Sequence, residues 1–297
     1  MSRHYRVAVV SDTQVGSLFG LLPPDFTKRA GDRCEQNPGQ KYLWRCWLDM
    51  CQRFRDLAPD VLVFNGDSVD GAQQAQRGTE LCLPLLTDQE DAFVAAMEML
   101  LAACPSRPAL YLVQGTEYHE GKAAGHLEHA GRVLNAETYF GLGTGKYSRE
   151  VLDLDVSGVI LNFAHHISVM SGLYRATAPD REAVWSALAG KEGKMPKADA
   201  LVRSHVHIFV HVEHATKHAL ITPAWQLQTR FMRKNSVYRM LPDLGYVWLE
   251  VEPQAKAQRE DPIIVRKWLY DLPPFVTTKA RLPEDKNEQS KEAATAV

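Results

Sequence analysis

Short apolar runs and helical periodicities alternate along the first part of the chain. Residues 5–10, 61–64 and 109–113 are apolar and bounded by turn residues, which is typical of buried strands. Between them, residues 41–57 and 87–104 carry apolar side chains three or four positions apart, which predicts amphipathic helices. The order β-α-β-α-β predicts parallel strands with right-handed crossovers, and hence an α/β fold.

Local signals mark the ends of these two helices. Pro59 and Pro105 follow them, and each is expected to end the helix before it. Thr87 and Glu90 have the spacing of a capping box, which would open the second helix.

A long irregular segment, residues 16–39, separates the first strand from the first helix. It contains several proline and glycine residues, and a connection of this length is usually functional or mobile. It also carries Lys28, Arg29 and Arg33 close in sequence to Asp12. We therefore expect this loop to influence substrate specificity.

Strand patterns dominate the second half of the chain. Residues 151–156 alternate, a Ser-Gly turn follows, and residues 159–163 are apolar, which together predict a β-hairpin. A short helix is expected at residues 179–188. Residues 206–212 have a strand pattern, and further strand patterns follow them. Together they predict a second sheet, which we expect residues 208–270 to complete.

Composition favours one large domain with a polar tail. The chain has 297 residues, of which 45% are hydrophobic, enough to bury a sizeable core. We expect the domain to cover residues 1–275. Residues 276–297 are mostly polar, and we expect them to form a disordered C-terminal tail.

Charge and hydropathy limit the classes of partner. The formal net charge is −2, from 34 basic and 36 acidic side chains, so a nucleic-acid partner is possible but not indicated. The apolar run 61–64 is far shorter than the roughly 20 residues that cross a bilayer. Too few apolar residues precede Asp12 for a secretory signal. We therefore expect a cytoplasmic protein without a membrane partner, whose five cysteines are reduced.

Side chains that bind metal ions follow several predicted strands. In α/β sheets, sites form at the carboxyl ends of the strands, so these side chains are expected to lie together. The candidates after predicted strands are Asp12, Gln14, Asp67, Asp70, Thr116, Glu117, His119, His165, His205 and His207.

These residue types suit the hydrolysis of a phosphate ester. The reaction needs a nucleophile at neutral pH and relief of negative charge on the phosphoryl oxygens, and two metal ions about 3.5–4 Å apart supply both. A carboxylate can serve two ions at once, and imidazoles favour Mn, Fe, Zn or Ni over Mg or Ca. The sequence therefore predicts a binuclear centre of two such divalent ions.

These segments, in this order across residues 7–207, resemble the calcineurin-like metallophosphoesterase family. That family combines D-x-H, G-D-x-x-D, G-N-H-D/E, a lone histidine and G-H-x-H. The chain has Asp12-Thr13-Gln14 for the first of these. The resemblance implies a four-layer α-β-β-α sandwich with two central mixed sheets.

The same resemblance implies a role for each ligand. Asp12 would bind the first metal, and Asp67 would bridge both. His165 and His205 would bind the second metal, and His207 would return to the first. These assignments come from the family pattern, position by position.

Several positions depart from that pattern and indicate a divergent branch, similar to phage and prophage phosphoesterases. Gln14 stands where the family has a histidine, and its amide oxygen can still bind the first metal. Thr116 replaces an asparagine, and Glu117 replaces the catalytic histidine. His119, two residues later, is expected to take over that catalytic role, with Thr116 or Glu117 serving the metal. Asp70 is expected to assist catalysis by orienting ligands.

Other histidines have simpler interpretations. Residues 205–212 alternate strictly, which is also typical of a strand with one polar face. His166 could exchange roles with its neighbour His165. His126 and His129 are expected to be solvated on a helix, and His211 to lie on the polar face of that strand. His214 and His218 are expected to be surface or hairpin residues.

The sequence thus predicts a metal-dependent hydrolase that cleaves phosphomonoesters or phosphodiesters. Two alternatives remain open. The departures at residues 14 and 116–117 favour a non-catalytic protein that binds metal or phosphate, and a phage-like branch would favour a nuclease acting on DNA or RNA. The natural substrate, the metal identity and the oligomeric state stay open.

Overall fold

A computed structural model describes most of the chain. The described residues are 4–141, 144–168, 170, 173–235, 241–274 and 277–280. The predicted domain boundary at 275 and residues 281–297 of the predicted tail lie outside these residues.

Fifteen strands and seven α-helices are present in the described residues. The strands are β1 (Tyr5–Val10), β2 (Phe26–Thr27), β3 (Arg33–Cys34), β4 (Val61–Asn65), β5 (Ala109–Val113), β6 (Tyr139–Gly141), β7 (Thr144–Lys146), β8 (Ser148–Arg149), β9 (Val151–Val156), β10 (Val159–Ala164), β11 (Ala200–Arg203), β12 (Val210–His214), β13 (Lys217–Ile221), β14 (Leu244–Val251) and β15 (Ile263–Tyr270). The helices are α1 (Pro38–Leu57), α2 (Leu86–Ala103), α3 (Glu117–Glu120), α4 (Gly125–Val133), α5 (Thr177–Lys191), α6 (Arg230–Asn235) and α7 (Pro253–Ala257).

Two mixed sheets form the centre of the molecule. The first has the order β15-β14-β1-β4-β5-β8, with β1, β4, β5 and β8 parallel and the other two strands antiparallel. The second has the order β12-β13-β11-β10-β9, in which β13, β11 and β10 are parallel. The predicted parallel core of β1, β4 and β5 is confirmed.

Three apolar clusters separate four layers. The largest lies between the first sheet and its helices and includes Trp47 and Phe93. The second fills the space between the sheets, where Val9 faces residues such as Phe163. A small third cluster, around Leu201, lies beneath α5. The α/β class and the α-β-β-α arrangement with two mixed sheets are therefore confirmed.

Helix α1 begins three residues before the predicted position because its cap lies upstream. The Asn37 side chain accepts from the Gln40 N–H, Gln40 reciprocates, and Pro38 occupies the first turn. The capping box predicted at Thr87 is wrong. Helix α2 starts at Leu86, so Thr87 already lies inside its first turn.

Residues 208–270 divide between the two sheets, contrary to the prediction that they complete the second sheet. Strand β14 pairs antiparallel with β1, from Tyr5 opposite Val251 to Val9 opposite Val247, and β15 extends that edge. Both faces of β14 are largely buried, so it fits a sheet interior. Within the described residues, every helix is too short or too polar to span a lipid bilayer.

Candidate metal centre

The candidate ligands converge at one edge of both sheets. Loops that follow parallel strands end there because the carboxyl ends of such strands meet. The contributing strands are β1, β4 and β5 of the first sheet and β10 and β11 of the second. These loops carry Asp12, Gln14, Asp67, Thr116, His165, His205 and His207.

Five of these residues have left-handed backbone conformations. The φ angles are 54° at Asp12, 44° at Gln14, 55° at Asp67, 75° at His205 and 59° at His207. Such angles are uncommon for residues with a side chain and cost about 1–3 kcal/mol each. Backbone strain is therefore concentrated where the ligands lie.

Two glycines allow the loops to approach closely. A Cβ on Gly66 would lie 2.4 Å from Nδ1 of His165, and one on Gly115 would lie 2.2 Å from the backbone nitrogen of Asp67. Neither position has room for a side chain. The lack of a side chain at Gly66 and Gly115 therefore allows the loops after β4 and β5 to pack closely against each other and against His165.

Asp12 and His207 form the first close pair of candidate ligands. The Oδ1 atom of Asp12 lies 3.1 Å from Nε2 of His207 and 3.8 Å from Nε2 of His165. Asp12 is completely buried, and His207 is 5% exposed. A carboxylate this far from solvent requires a positive partner.

Asp67 lies at the middle of the cluster. Its Oδ2 lies 3.1 Å from Nε2 of His165, while its Oδ1 accepts from the N–H of Thr116 at 2.7 Å and from the Thr116 hydroxyl at 3.0 Å. Nδ1 of His165 lies 2.7 Å from the carbonyl oxygen of Asn65, to which it donates. Because Nδ1 donates to that carbonyl, Nε2 is the nitrogen that faces the carboxylates and could coordinate a metal ion in place of a proton.

Gln14 and Thr116 both contact Asp67. The amide nitrogen of Gln14 donates to Asp67 Oδ2 at 3.1 Å, and its Oε1 is buried without a hydrogen bond among the described residues. Thr116 also caps α3 by accepting from the N–H of His119. Their roles as metal ligands stay predictions.

His119 and Asp70 form a pair at the side of the centre. Nδ1 of His119 lies 2.9 Å from the Asp70 carbonyl oxygen and 3.4 Å from its Oδ1. Nε2 of His119 lies 3.9 Å from Asp67 Oδ2. Asp70 is buried, which raises the pKa of its carboxyl group, and it accepts from the side chain of Gln73.

His205, which follows β11, lies beside Asp67 and His165. Atoms of Asp67, His165 and His205 lie within 4.8 Å of one another. His166 is exposed and packs its ring against that of His205, with centroids 5.0 Å apart. The carboxylates are thus contacted by His165, and not by its neighbour.

The electrostatics of the cluster require positive charge. Burial alone would raise the pKa of Asp12 and Asp67, but the imidazoles of His207 and His165 reverse this and lower both. Burial likewise opposes a charge on His165, yet the two carboxylates raise its pKa to about 10. Without another cation, a buried imidazolium has to balance the carboxylates.

Unpartnered atoms indicate what the cluster can hold. Among the described residues, buried polar atoms without a hydrogen bond include both carboxylate oxygens of Asp12, Oε1 of Gln14 and Nε2 of His165. Several of them lie close to opposite charges, but outside hydrogen-bond geometry. Such mixed oxygen and nitrogen donors suit Mn, Fe, Zn or Ni, so the residues fit divalent metal ions.

The centre opens into a cleft of about 640 Å³. Polar side chains such as Gln73 and Tyr118 line one part, and apolar ones such as Ile208 and Met232 line another. The hypothesis that residues 17–39 determine specificity finds little support. Of this loop, Ser17 alone is among the described lining residues, and Arg29 pairs with Asp91 of α2.

The sequence analysis missed Glu120 as a buried residue of the site. Its Oε1 accepts from the N–H of Ser68 at 2.9 Å, and its Oε2 accepts from the N–H of Gly115 at 2.6 Å. It thus connects the loops that hold Asp67 and Thr116. The alternative ligand Glu117 is exposed. Recognition of the short helix α3 would have been needed to see that position 120 faces inward.

The prediction that His126 is solvated is wrong, whereas His218 lies on a hairpin strand, one of the two placements expected for it. His126 is 6% exposed and lies 3.3 Å from the hydroxyl of Ser68, and burial lowers its pKa to about 4. His218 is 2% exposed and contacts Asp261. Both are buried by partners far away in the sequence.

Several solved structures match the chain over most of its length at low sequence identity. No protein-family model and no curated protein sequence matches the chain. Vps29 from Entamoeba histolytica, as a single mutant, matches with 12% identity and a TM-score of 0.37, over 90% of this chain and 99% of that one. A novel archaeal phosphodiesterase matches with 9% identity and a TM-score of 0.42, over 89% and 99%.

A third solved structure, a conserved protein from Streptococcus pneumoniae described as a predicted phosphoesterase, matches with 12% identity and a TM-score of 0.35. The match covers 91% of this chain and 100% of that one. The likeness to these structures concerns the fold alone.

Proposed function

We propose that this protein hydrolyses phosphate esters with a binuclear centre of divalent metal ions. The observation that carries the proposal is the buried cluster of carboxylates and imidazoles whose unpartnered lone pairs lie at a cleft. A cluster of this kind has no advantage for stability alone, because each unpartnered buried atom destabilises the fold.

Each ion would have its own set of ligands. Asp12, Gln14 and His207 would hold the first, and His165 and His205 would hold the second. Asp67 would bind both, because its Oδ2 lies 3.1 Å from Nε2 of Gln14 and 3.1 Å from Nε2 of His165, one residue of each set, while Thr116 holds its Oδ1. When bound, the two ions would neutralise phosphoryl charge and make a water molecule nucleophilic at neutral pH.

His119 is the proposed proton donor to the leaving group. Its Nδ1 bonds to the Asp70 carbonyl oxygen, so this nitrogen carries a proton and the ring is fixed. Nε2 is then the atom that can give a proton to the leaving oxygen in the cleft that His119 lines. Asp70, whose Oδ1 lies 3.4 Å from Nδ1, would help to hold the ring in place.

The cleft favours small phosphate esters over nucleic acid. Its described lining residues include the acidic Glu80 and Asp70, but no lysine or arginine. A nuclease would need basic side chains along the phosphate backbone. The proposed substrates are therefore mono- or diesters with a compact leaving group.

The proposal is tested with purified protein, Mn²⁺ and two probes, p-nitrophenyl phosphate and bis(p-nitrophenyl) phosphate. Turnover is expected for at least one probe, and Asp67→Asn should reduce kcat at least 1,000-fold because both metals lose a ligand (on the order of 4 kcal/mol). The matched control is Asp56→Asn on the exposed face of α1, which should keep wild-type activity.

The outcome also decides between the alternatives. Two bound ions per chain without turnover of either probe would favour a non-catalytic metal-binding protein. Turnover that survives Asp67→Asn would disprove the assigned centre. Steeply salt-dependent binding of DNA or RNA would favour a nuclease.

A further inference from the structure

A second cluster of metal-binding side chains lies on the hairpin formed by β12 and β13. His211 and Glu213 are two residues apart on β12 and therefore point to the same face. His218 of β13 stands directly opposite Glu213 in the strand register, so its side chain joins them. Regular strand geometry alone brings these three residues together.

The contacts within this hairpin cluster are short and directional. Nε2 of His218 lies 3.0 and 2.9 Å from the two carboxylate oxygens of Asp261, and Nδ1 of His218 lies 2.9 Å from Nε2 of His211. The two rings are stacked, with centroids 5.2 Å apart. Ligand atoms of His211, Glu213 and His218 all lie within 4.8 Å of one another.

Asp261 determines which nitrogen of His218 carries the proton. Its carboxylate can only accept, so Nε2 of His218 carries the proton and Nδ1 presents a lone pair towards His211. A carboxylate that binds the far nitrogen of an imidazole is the usual second partner of a metal-binding histidine. Two imidazoles and one carboxylate make a donor set for Zn²⁺ or a similar transition-metal ion.

We propose that His211, Glu213 and His218 bind one divalent transition-metal ion, with Asp261 orienting His218. None of the four lines the catalytic cleft. Asp261 precedes β15 of the first sheet, whereas the ligands belong to the second sheet. A bound ion would therefore fasten the edges of the two sheets together, which is a structural role separate from the proposed hydrolysis.

The positive charge of Lys267 lies near this site. The ammonium group of Lys267 lies 4.3 Å from the ring centre of Phe209, and its charge also acts on His211. The carboxylates of Glu213 and Asp261 supply the compensating negative charge. Two negative carboxylates and one positive lysine leave a net negative charge at this site. A net negative charge favours the binding of a divalent cation.

The test compares Zn²⁺ bound per chain after equilibrium dialysis against micromolar Zn²⁺, measured by elemental analysis. His211→Ala and Glu213→Gln should each bind one ion fewer than the wild type. The matched control is His214→Ala, since His214 lies on the same strand but pairs with Asp180 instead. The test compares the number of Zn²⁺ ions bound per chain by the wild type and by each variant. Ions bound at the cleft centre contribute equally to all proteins and therefore do not affect the comparison.

A second measurement keeps the result interpretable if a variant is destabilised. Zn²⁺ should raise the Tm of the wild type and of His214→Ala by more than that of Glu213→Gln, whose exposed side chain can be changed without a loss of packing. Equal Zn²⁺ content and equal Tm shifts in all proteins would overturn the proposal. The four residues would then form a hydrogen-bonded network only.

Discussion

The cleft centre and the hairpin cluster are both built from histidines and carboxylates, but their backbones differ. The cleft residues come from five separate loops, and five of them have left-handed φ angles. His211, Glu213 and His218 lie on two regular strands of one hairpin. The same side-chain chemistry is thus held by strained loops in one place and by relaxed strands in the other.

The two clusters also differ in how completely their polar atoms are hydrogen-bonded. Both carboxylate oxygens of Asp12 lack a hydrogen bond among the described residues, whereas both ring nitrogens of His218 are paired. The first cluster opens into a cleft of about 640 Å³, and the second lies at the seam between two sheets. Strained, unpartnered groups beside a cleft are typical of catalysis, and satisfied groups on regular strands suit a structural ion.

Among substitutions that leave every proposed ligand in place, the largest expected effect tests whether close packing of the loops matters at the cleft. Gly115→Ala places a Cβ 2.2 Å from the backbone nitrogen of Asp67, so the loop has to move. A displacement of about 1 Å can lower the rate about 100-fold, and we expect at least that loss in kcat/KM. The measurement is steady-state hydrolysis of the p-nitrophenyl probe with Mn²⁺.

Gly125→Ala is the matched control for this prediction. It is the same change, ten residues along the chain, at a position where a Cβ meets nothing within 4 Å. Activity should be unchanged, because the added methyl group contacts no neighbouring atom. Equal activity in both variants would show that the two loops need no close contact.

A smaller effect on activity is expected when a side chain that holds the loops of the centre is removed and the proposed metal ligands stay in place. Glu120→Ala leaves the buried N–H groups of Ser68 and Gly115 without their acceptor, at about 1–3 kcal/mol each. Loss of such an outer partner usually lowers metal affinity or activity about 10–100-fold. Titration of activity with Mn²⁺ measures the change.

Glu117→Ala provides the comparison on the same short helix. Glu117 is exposed, so its removal should leave the Mn²⁺ dependence unchanged. If both variants behave alike, the buried carboxylate is not a support of the centre.

The contrast also explains how much could be predicted from the sequence. Asp12 and Asp67 were found because short apolar strands end immediately before their turns, and both signals are local. The alternation of residues 205–212 predicted a strand, but the strand starts only at Val210. The left-handed φ angles of His205 and His207 turn the chain, and an alternating pattern does not reveal them.

Features that depend on distant partners could not be predicted. His218 is buried by Asp261, 43 residues away, and Ser68 is held by Glu120, 52 residues away. Strand β14 pairs with β1 although more than 230 residues separate Tyr5 from its partner Val251. Pairings of this kind depend on the packing of the whole fold, for which one sequence carries no local signal.

The smallest expected effect completes the comparison. His211→Ala removes a ring that stacks on His218 at the sheet edge and does not line the cleft. If the two clusters are independent, kcat/KM for the p-nitrophenyl probe should stay within twofold of the wild type, because substitutions without shared partners act separately. Stability should fall by about 1 kcal/mol through the lost hydrogen bond. A tenfold loss of activity, measured at saturating Mn²⁺ in protein that remains folded by circular dichroism, would instead show that the hairpin positions the neighbouring His207, and the division into catalytic and structural clusters would fail.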